Sequence, residues 1–253
     1  MTKSLVFDEL RISTHLAWRD LRSRYAHTVL GPWWSMLNLA VVLLGSSVAV
    51  ALISGTSPRD QAPRLAVGLA IWTLISNCLS EASGLFEAER GILFNSTITE
   101  STVALQLVIR NGIVFLHNSL VVLATFLVCN KGLPAGLILL LPVLLLTMTT
   151  LVIPVILVAR WSIIISDLKV FLPSIVQFSF FLTPVLWSPP DSGLASRLTV
   201  FNPLSWPIEV TKLAVFERNF ISKYFLLLII LCVVEIAGYY FARRRLQSIR
   251  KYL

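Results

Sequence analysis

The feature that most constrains this chain is a long stretch without formal charge near its start. No Asp, Glu, Lys or Arg occurs between Arg24 and Arg59. A helix needs about 20 mainly apolar residues to cross the hydrocarbon core of a bilayer. The stretch therefore predicts a first membrane span over residues 31–54. Similar stretches predict further spans over residues 65–86, 103–128, 133–159, 170–187 and 224–241.

The composition agrees with six transmembrane helices and argues against a water-soluble domain. Hydrophobic residues make up 56% of the chain and charged residues 13%, whereas soluble domains carry about 25% charged residues. We therefore predict an all-α integral membrane protein in which residues 1–253 form one transmembrane domain. The predicted parts are a surface helix (1–25), spans one to five (31–187), an outer segment (188–223), span six (224–241) and a basic tail (242–253).

The distribution of basic residues predicts how the spans are oriented. If both termini are cytoplasmic, most of the 21 Lys and Arg residues lie on the cytoplasmic side, close to the ends of the spans. The positive-inside rule favours this arrangement. The net charge of +8 then suits a surface of anionic lipids. Because no nucleic-acid-binding motif is present, we expect no nucleic-acid partner.

Residues 1–25 have the pattern of an amphipathic helix. The apolar side chains fall on one stripe of a helical wheel, which includes Ala17, Trp18 and Leu21. The adjoining face is basic and contains Arg11, His15, Arg19 and Arg22. This segregation predicts a helix that lies in the membrane interface. Two interpretations remain open: a mere anchor that sets the topology, or a helix that also contacts a cytoplasmic partner.

The outer segment, residues 188–223, is the longest connection on its side. It contains a predicted turn at Asn202, Pro203 and Leu204, followed by a predicted helical run over residues 208–216. Its apolar residues are too few to span a bilayer but numerous enough to enter one. We predict a re-entrant helical hairpin before the last span, shielded by the surrounding protein. The alternative is an ordinary interfacial loop.

Three charged residues, Glu81, Arg110 and Glu235, lie within the predicted spans. Glu81 is near the cytoplasmic end of the second span, and Arg110 is about two turns into the third. Charges at membrane depth are costly and usually pair inside the protein. Since adjacent antiparallel spans bring Glu81 and Arg110 to similar depth, we predict an ion pair with a structural role. No metal site is predicted, because the three cysteines are isolated on separate spans.

Several short motifs resemble one family of membrane proteins. They occur in order at residues 19–25, 30–37, 110–111, 117–118, 181–185, 202–204 and 243–252. Together they resemble the membrane (permease) subunits of type-2 ABC exporters for O-antigen, capsule and teichoic-acid polysaccharides. The resemblance covers essentially the whole chain. The connection after the second span fits over residues 87–91 and fits less well over residues 95–100.

The resemblance implies a homodimeric permease in the bacterial inner membrane, with several spans per chain. It would move a polyprenyl-pyrophosphate-linked polysaccharide from the cytoplasm to the periplasm or outer face. Two copies of a separate ATP-binding subunit would supply the energy, so ATP and Mg would bind that partner. The chain itself has no Gly-x-x-x-x-Gly-Lys-Ser/Thr phosphate loop, and we expect it to bind no cofactor and to be no enzyme.

The resemblance also assigns roles to particular residues. The planar guanidinium group of arginine can bind two phosphate oxygens at once. The pyrophosphate ligands would be Arg19, Arg22, Arg24 and Tyr25. Aromatic rings can stack on the sugar rings of a glycan as it moves past them. The stacking residues would be Trp33, Trp34, Phe178, Phe181 and Trp187. Coupling to the ATPase would involve Arg11, His15, Glu87, Glu89 and Arg90. The simpler alternatives are charges that set topology and aromatic residues that face lipid.

Two other classes of membrane protein agree less well with the sequence. A membrane-embedded enzyme acting on a lipid-linked substrate would need convergent acids, a histidine base or a metal cluster. The three histidines are far apart in sequence. A secondary transporter usually shows internal repeats, and none is evident in the sequence. We therefore favour the exporter and keep the membrane-embedded enzyme as the alternative.

Overall fold

The computed structural model describes residues 2–26, 28–31, 33–95, 98–190, 192–217 and 223–245. Within those residues the chain forms eleven α-helices and no β-strand. The helices are α1 (Thr2–Tyr25), α2 (Trp33–Ser54), α3 (Pro58–Ala82), α4 (Leu85–Ala88), α5 (Arg90–Asn95), α6 (Glu100–Val128), α7 (Leu140–Ile164), α8 (Leu168–Leu182), α9 (Leu194–Phe201), α10 (Ser205–Lys212) and α11 (Lys223–Arg245). A 3₁₀ helix (Ala135–Leu139) leads into α7, and a π-helical turn (Leu213–Glu217) follows α10.

Four helices are long and apolar enough to cross a membrane. They are α2, α3, α6 and the combined 3₁₀ helix and α7, with 22, 25, 29 and 30 residues. This confirms the all-helical class and supports an integral membrane protein. Helix α8 has 15 residues, and the apolar run of α11 covers Tyr224–Ala237. The fifth and sixth spans, like the orientation of the termini, stay predictions.

Helix α3 is the centre of the bundle, because α2, α6, α7, α8 and α10 all pack on it. It begins at a cap in which the Ser57 hydroxyl accepts a hydrogen bond from the Arg59 amide (3.3 Å), with Pro58 in the first helical position. The predicted end of this span at residue 86 is wrong. Ser83 and Gly84 form a turn, since both are weak helix formers.

Helices α2 and α8 each pack through one narrow face. Leu39, Leu43, Ser47 and Ala51 of α2 are buried at four-residue spacing, and α8 buries Leu172 and Val176. The remaining side chains of both helices are mostly apolar and exposed. These two faces have the character expected for contact with lipid or with another apolar surface.

The predicted hairpin segment contains two eight-residue helices, α9 and α10. The Asn202 side-chain oxygen accepts a hydrogen bond from the Leu204 amide (3.1 Å) and closes the turn between them. Helix α10 is buried against α3 and α11, whereas α9 is more exposed. The helical run predicted over residues 208–216 instead begins at Ser205 and changes to a π turn after Lys212. Entry of this segment into a bilayer stays a prediction.

Helix α3 makes different contacts towards its two ends. The C-terminal end, where Glu81 meets α1, is called the α1 end. The N-terminal half, where Gly68 meets Lys212 of α10, is called the hairpin end. At the hairpin end, Lys131 donates a hydrogen bond to Asp60 (2.7 Å), which raises the pKa of the exposed Lys131 ammonium.

Part of the predicted organisation falls outside the described residues. Residues 246–253 of the basic tail are outside them, as are the side chains of Arg243, Arg244 and Arg245. The same holds for residues 218–222, between the π turn and α11.

Candidate functional site

Helix α1 packs on α6 through a stripe of small and medium side chains. Ser13, Ala17 and Leu21 are buried at four-residue spacing, so one face of α1 contacts the bundle. The Ser13 hydroxyl donates a hydrogen bond to the Thr102 carbonyl oxygen in the first turn of α6 (2.9 Å). The surface helix is therefore attached to the bundle by side-chain packing and by hydrogen bonding.

The other apolar side chains of α1 remain exposed. Phe7, Leu10 and Trp18 are exposed beside the buried stripe. This exposed flank adjoins the basic face that carries Arg11 and Arg22. An apolar flank next to a basic face suits the boundary between lipid headgroups and acyl chains. The predicted amphipathic stripe is thus divided between the bundle and an exposed surface.

A chain of four charges joins α1, α3 and α6. Arg110 of α6 donates hydrogen bonds to the carboxylates of Asp20 and Glu81. Glu81 also accepts a hydrogen bond from Arg24 of α1 at 2.6 Å. We call Asp20, Arg24, Glu81 and Arg110 the charge network. Its two acids balance its two arginines, so it brings no net charge into the bundle.

Burial makes the charge network energetically important. The Arg110 side chain is only 6% exposed, whereas those of Asp20 and Glu81 are 24% and 27% exposed. A buried guanidinium is tolerated when it is paired and its donors are used. Arg110 directs its two terminal nitrogens to two different carboxylates. The sequence-predicted partners Glu81 and Arg110 are therefore in contact, and Asp20 completes the arrangement.

Sequence reasoning missed Asp20. It lies between Arg19 and Leu21 in a basic segment, where an acid suggests a solvated neighbour of arginines. A signal was nevertheless available, because Asp20 is three residues after Ala17 and therefore on the same side of the helix. Once Ala17 is known to contact α6, Asp20 is placed at the same interface.

The predicted pyrophosphate ligands do not converge in this structure. Arg24 contacts Glu81 and its side chain is 50% exposed, whereas Arg19 and Arg22 are exposed and Tyr25 is half-buried. Residues two apart in a helix face different directions, so Arg22 and Arg24 lie on different sides of α1. An anion at Arg24 would have to compete with Glu81, and Arg19 and Arg22 are the accessible pair.

The predicted stacking aromatics also fall into two groups. Trp33 and Trp34 are exposed in the first turn of α2, towards the α1 end. Phe178 and Phe181 are exposed near the end of α8, towards the hairpin end, and Trp187 follows them. The Trp187 indole nitrogen donates a hydrogen bond to the Phe181 carbonyl oxygen (3.3 Å). The structure therefore does not bring these five residues into one cluster.

Three of the predicted coupling residues, Glu87, Glu89 and Arg90, lie in or between the short helices α4 and α5 at the α1 end. Glu87 pairs with Lys169 at the start of α8, and Glu89 accepts a hydrogen bond from Gln106 of α6 (2.8 Å). The Arg90 guanidinium carbon lies 5.4 Å from the centroid of the Phe94 ring. Arg11 and His15 are exposed on α1.

Residues at the start of α6 contact both α1 and α7. Thr99, which caps α6, donates a hydrogen bond to Glu9 of α1 at 3.3 Å. One residue later, Glu100 accepts a hydrogen bond from Arg160 near the end of α7 (2.7 Å). The first turn of α6 therefore links α1 to α7, and α5 ends just before this turn.

Neither a protein-family model nor a curated protein matches this chain. The resemblance to polysaccharide exporters therefore rests on the motifs quoted above. Among the described residues, no three His, Cys, Asp or Glu side chains are grouped so that they could hold a metal ion.

Proposed function

We propose that this chain is the transmembrane subunit of an ATP-driven exporter of polyprenyl-pyrophosphate-linked polysaccharide. Two copies would enclose the path of the glycan, and two copies of a separate ATP-binding subunit would dock at the α1 end. The observation that carries the proposal is the joint attachment of α1 and the α4–α5 connection to α6. These are the two polar parts of the chain to which the family resemblance assigns contact with an ATPase.

The contacts at the α1 end would transmit a displacement of α1 or α4 to the membrane helices. A push on α1 would reach α3 and α6 through the charge network, because Arg110 contacts both Asp20 and Glu81. A push on α4 would reach α8 through the Glu87–Lys169 pair. Short helices fixed by several polar contacts transmit displacement better than a loop does, since fewer of their backbone dihedrals are free.

The substrate would be bound by two kinds of side chain. Arg19 and Arg22 are exposed on α1 and present guanidinium groups to a pyrophosphate at the membrane surface. The exposed aromatic residues of α2 and α8 offer flat faces for sugar rings. The apolar outer faces of α2 and α8 would contact lipid or the second copy of the chain.

We expect the isolated chain to hydrolyse no ATP and to co-purify with its ATP-binding partner as a complex of two plus two. Arg11→Glu combined with Arg90→Glu should lower the recovered partner about tenfold, because both changes reverse charge on the proposed docking surface. The matched control is Arg197→Glu, which makes the same charge change on exposed α9. Tagged pull-down followed by quantified ATPase activity measures the effect.

The same purified preparation distinguishes the exporter from the alternative, a membrane-embedded enzyme. ATP hydrolysis by the isolated chain would contradict the division of labour between two subunits. Conversion of a polyprenyl-linked substrate by the isolated chain would favour the membrane-embedded enzyme instead. Equal loss of partner with Arg197→Glu would show that the docking surface is assigned wrongly.

Arg22→Glu should reduce surface glycan about tenfold or more while leaving insertion and complex formation intact. The change replaces a phosphate-binding fork by a group that repels phosphate. Arg22→Lys should retain partial export, since the charge survives although the bidentate geometry is lost. Arg22 is preferred to Arg24 here, because Arg24→Glu would also set a carboxylate against Glu81. Cell-surface glycan labelling, normalised to the membrane level of the protein, measures the effect; normal export by Arg22→Glu would refute the pyrophosphate role.

A further inference from the structure

A buried lysine lies at the hairpin end, far from the charge network. Lys212 is the last residue of α10 and is 5% exposed. Its ammonium donates hydrogen bonds to the carbonyl oxygens of Pro184, Val185 (3.2 Å) and Trp187 (3.4 Å). An ammonium group has three donors, so its bonding capacity is filled by the backbone that follows α8.

The backbone after α8 needs such a donor. Helix α8 ends at Leu182, and the last carbonyls of a helix lack partners within the helix and carry partial negative charge. Pro184 has no amide hydrogen to offer, and the Thr183 hydroxyl donates to the Phe180 carbonyl oxygen at 3.0 Å. Lys212, from α10, donates to the carbonyl oxygens of the turn that follows the helix.

Helix α3 forms the other wall of this site. A β-carbon on Gly68 would lie 3.2 Å from Lys212 Cε and 3.3 Å from the Val185 carbonyl oxygen. Gly68 therefore leaves room for the lysine and for the turn that it binds. One helical turn earlier, Arg64 donates a hydrogen bond to the Ser188 hydroxyl (2.9 Å). The segment 183–188 is thus held from α10 by Lys212 and from α3 by Arg64.

An acidic side chain lies near Lys212 within α10. Glu209 lies one turn earlier on the same side of the helix and is also buried. It is close enough for its charge to act on the Lys212 ammonium. Burial disfavours the charged form of a lysine, and the nearby acid and the three carbonyl acceptors oppose that effect.

The two ends of α8 differ in how firmly they are held. At the α1 end, Lys169 pairs with Glu87, and these side chains are 27% and 53% exposed. Partly exposed ion pairs of this kind contribute little to stability. At the hairpin end, the Lys212 site is buried and fully bonded.

We propose that Lys212 is a latch that joins α10, the segment 183–188 and α3 into one rigid unit, about which α8 pivots. Movement of α8 then occurs at its Lys169 end, and the end near Pro184 stays fixed. The proposal depends on the packing at the hairpin end and holds whether or not the chain is an exporter.

The test measures how well the latched turn excludes a reagent. Val185 is buried within the turn, and Val170 is 82% exposed near the other end of α8. In the full-length chain, with Cys78, Cys129 and Cys232 replaced by alanine, a single Val185→Cys or Val170→Cys thiol is labelled with a water-soluble maleimide in detergent. We expect Lys212→Met to speed labelling of Val185→Cys about tenfold or more, because the hydrogen bonds from a charged donor are lost. Labelling of Val170→Cys should not change.

Two further variants isolate the cause. Lys212→Met combined with Glu209→Gln removes the acid that the single change leaves without its lysine, and labelling should remain fast. Lys131→Met makes the same substitution at an exposed pair with Asp60 and should leave labelling slow. Unchanged protection in Lys212→Met, or protection restored by Glu209→Gln, would overturn the latch.

A glycine pair provides the test if Lys212→Met does not fold. Gly68→Ala presses a methyl group on both the lysine and the Val185 carbonyl, whereas Gly45→Ala in α2 meets nothing within 4 Å. We expect Gly68→Ala to raise the labelling rate of Val185→Cys several-fold, by about threefold or more, and Gly45→Ala to leave it unchanged. Equal rates in the two glycine variants would refute the proposal.

Discussion

Replacing Arg110 with alanine is expected to lower the free energy of unfolding by about 3 kcal/mol or more. The substitution leaves Asp20 and Glu81 close together with like charge and removes the partner that they share. Because both carboxylates remain about a quarter exposed, the expected loss is at the lower end of the range for a broken buried pair. Thermal or denaturant unfolding in detergent, followed by circular dichroism, measures it.

Companion variants show whether the loss arises from the charge network. Arg110→Ala combined with Asp20→Asn and Glu81→Gln should recover much of the stability, because no uncompensated acid is left. Exchanging the charges of Glu81 and Arg110 should not help, since Arg110→Glu would set a carboxylate against Asp20. Arg160→Ala, which removes a salt bridge to one acid, Glu100, should cost less than Arg110→Ala, which removes salt bridges to two. A coupling energy near zero between positions 81 and 110 would contradict the network.

Gly136→Ala is expected to destabilise the protein by about 3 kcal/mol, the upper part of the range for an overpacked core. A β-carbon at this position would overlap the Ala214 carbonyl oxygen and lie 2.8 Å from Val215 Cα. Both obstacles are backbone atoms of the π turn, so neither can rotate away. Unfolding in detergent measures the loss.

Two other glycines are matched controls for Gly136. In Gly112→Ala the new methyl would meet the sulfur and terminal methyl of Met148 at 2.8 Å. A methionine side chain can move, so this variant should lose less stability. Gly84→Ala meets nothing within 4 Å and should be nearly neutral. Equal stability of the Gly136 and Gly84 variants would show that the 3₁₀ helix is not packed on the π turn.

The sequence predicted the four helices that are long and apolar enough to cross a membrane, because crossing a bilayer is a local requirement. An uncharged stretch of sufficient length satisfies it without reference to any other part of the chain. The same reasoning was weaker for α8, which has 15 residues and ends before Pro184. It was also weaker for the end of α3, where a turn at Ser83 and Gly84 interrupts an apolar run.

The contact between Glu81 and Arg110 was also accessible from sequence. The high cost of an isolated charge in the membrane requires partners, and antiparallel neighbours bring these two residues to similar depth. The same cost does not identify Asp20, because the segment that contains it is predicted to lie at the membrane surface, where a charge needs no protein partner. Only the packing of Ala17 and Leu21 on α6 turns Asp20 towards Arg110.

The sequence by itself therefore determined the helical class, the long apolar helices and the need to pair the charges within them. These properties follow from hydropathy, length and the cost of desolvation, which act on each segment separately. The tertiary structure alone decided that Arg24 contacts Glu81, that the five aromatic residues lie at two ends, and that Lys212 binds the turn after α8. Such contacts depend on the rotation of each helix and on the meeting of segments far apart in the chain, and no local pattern records either.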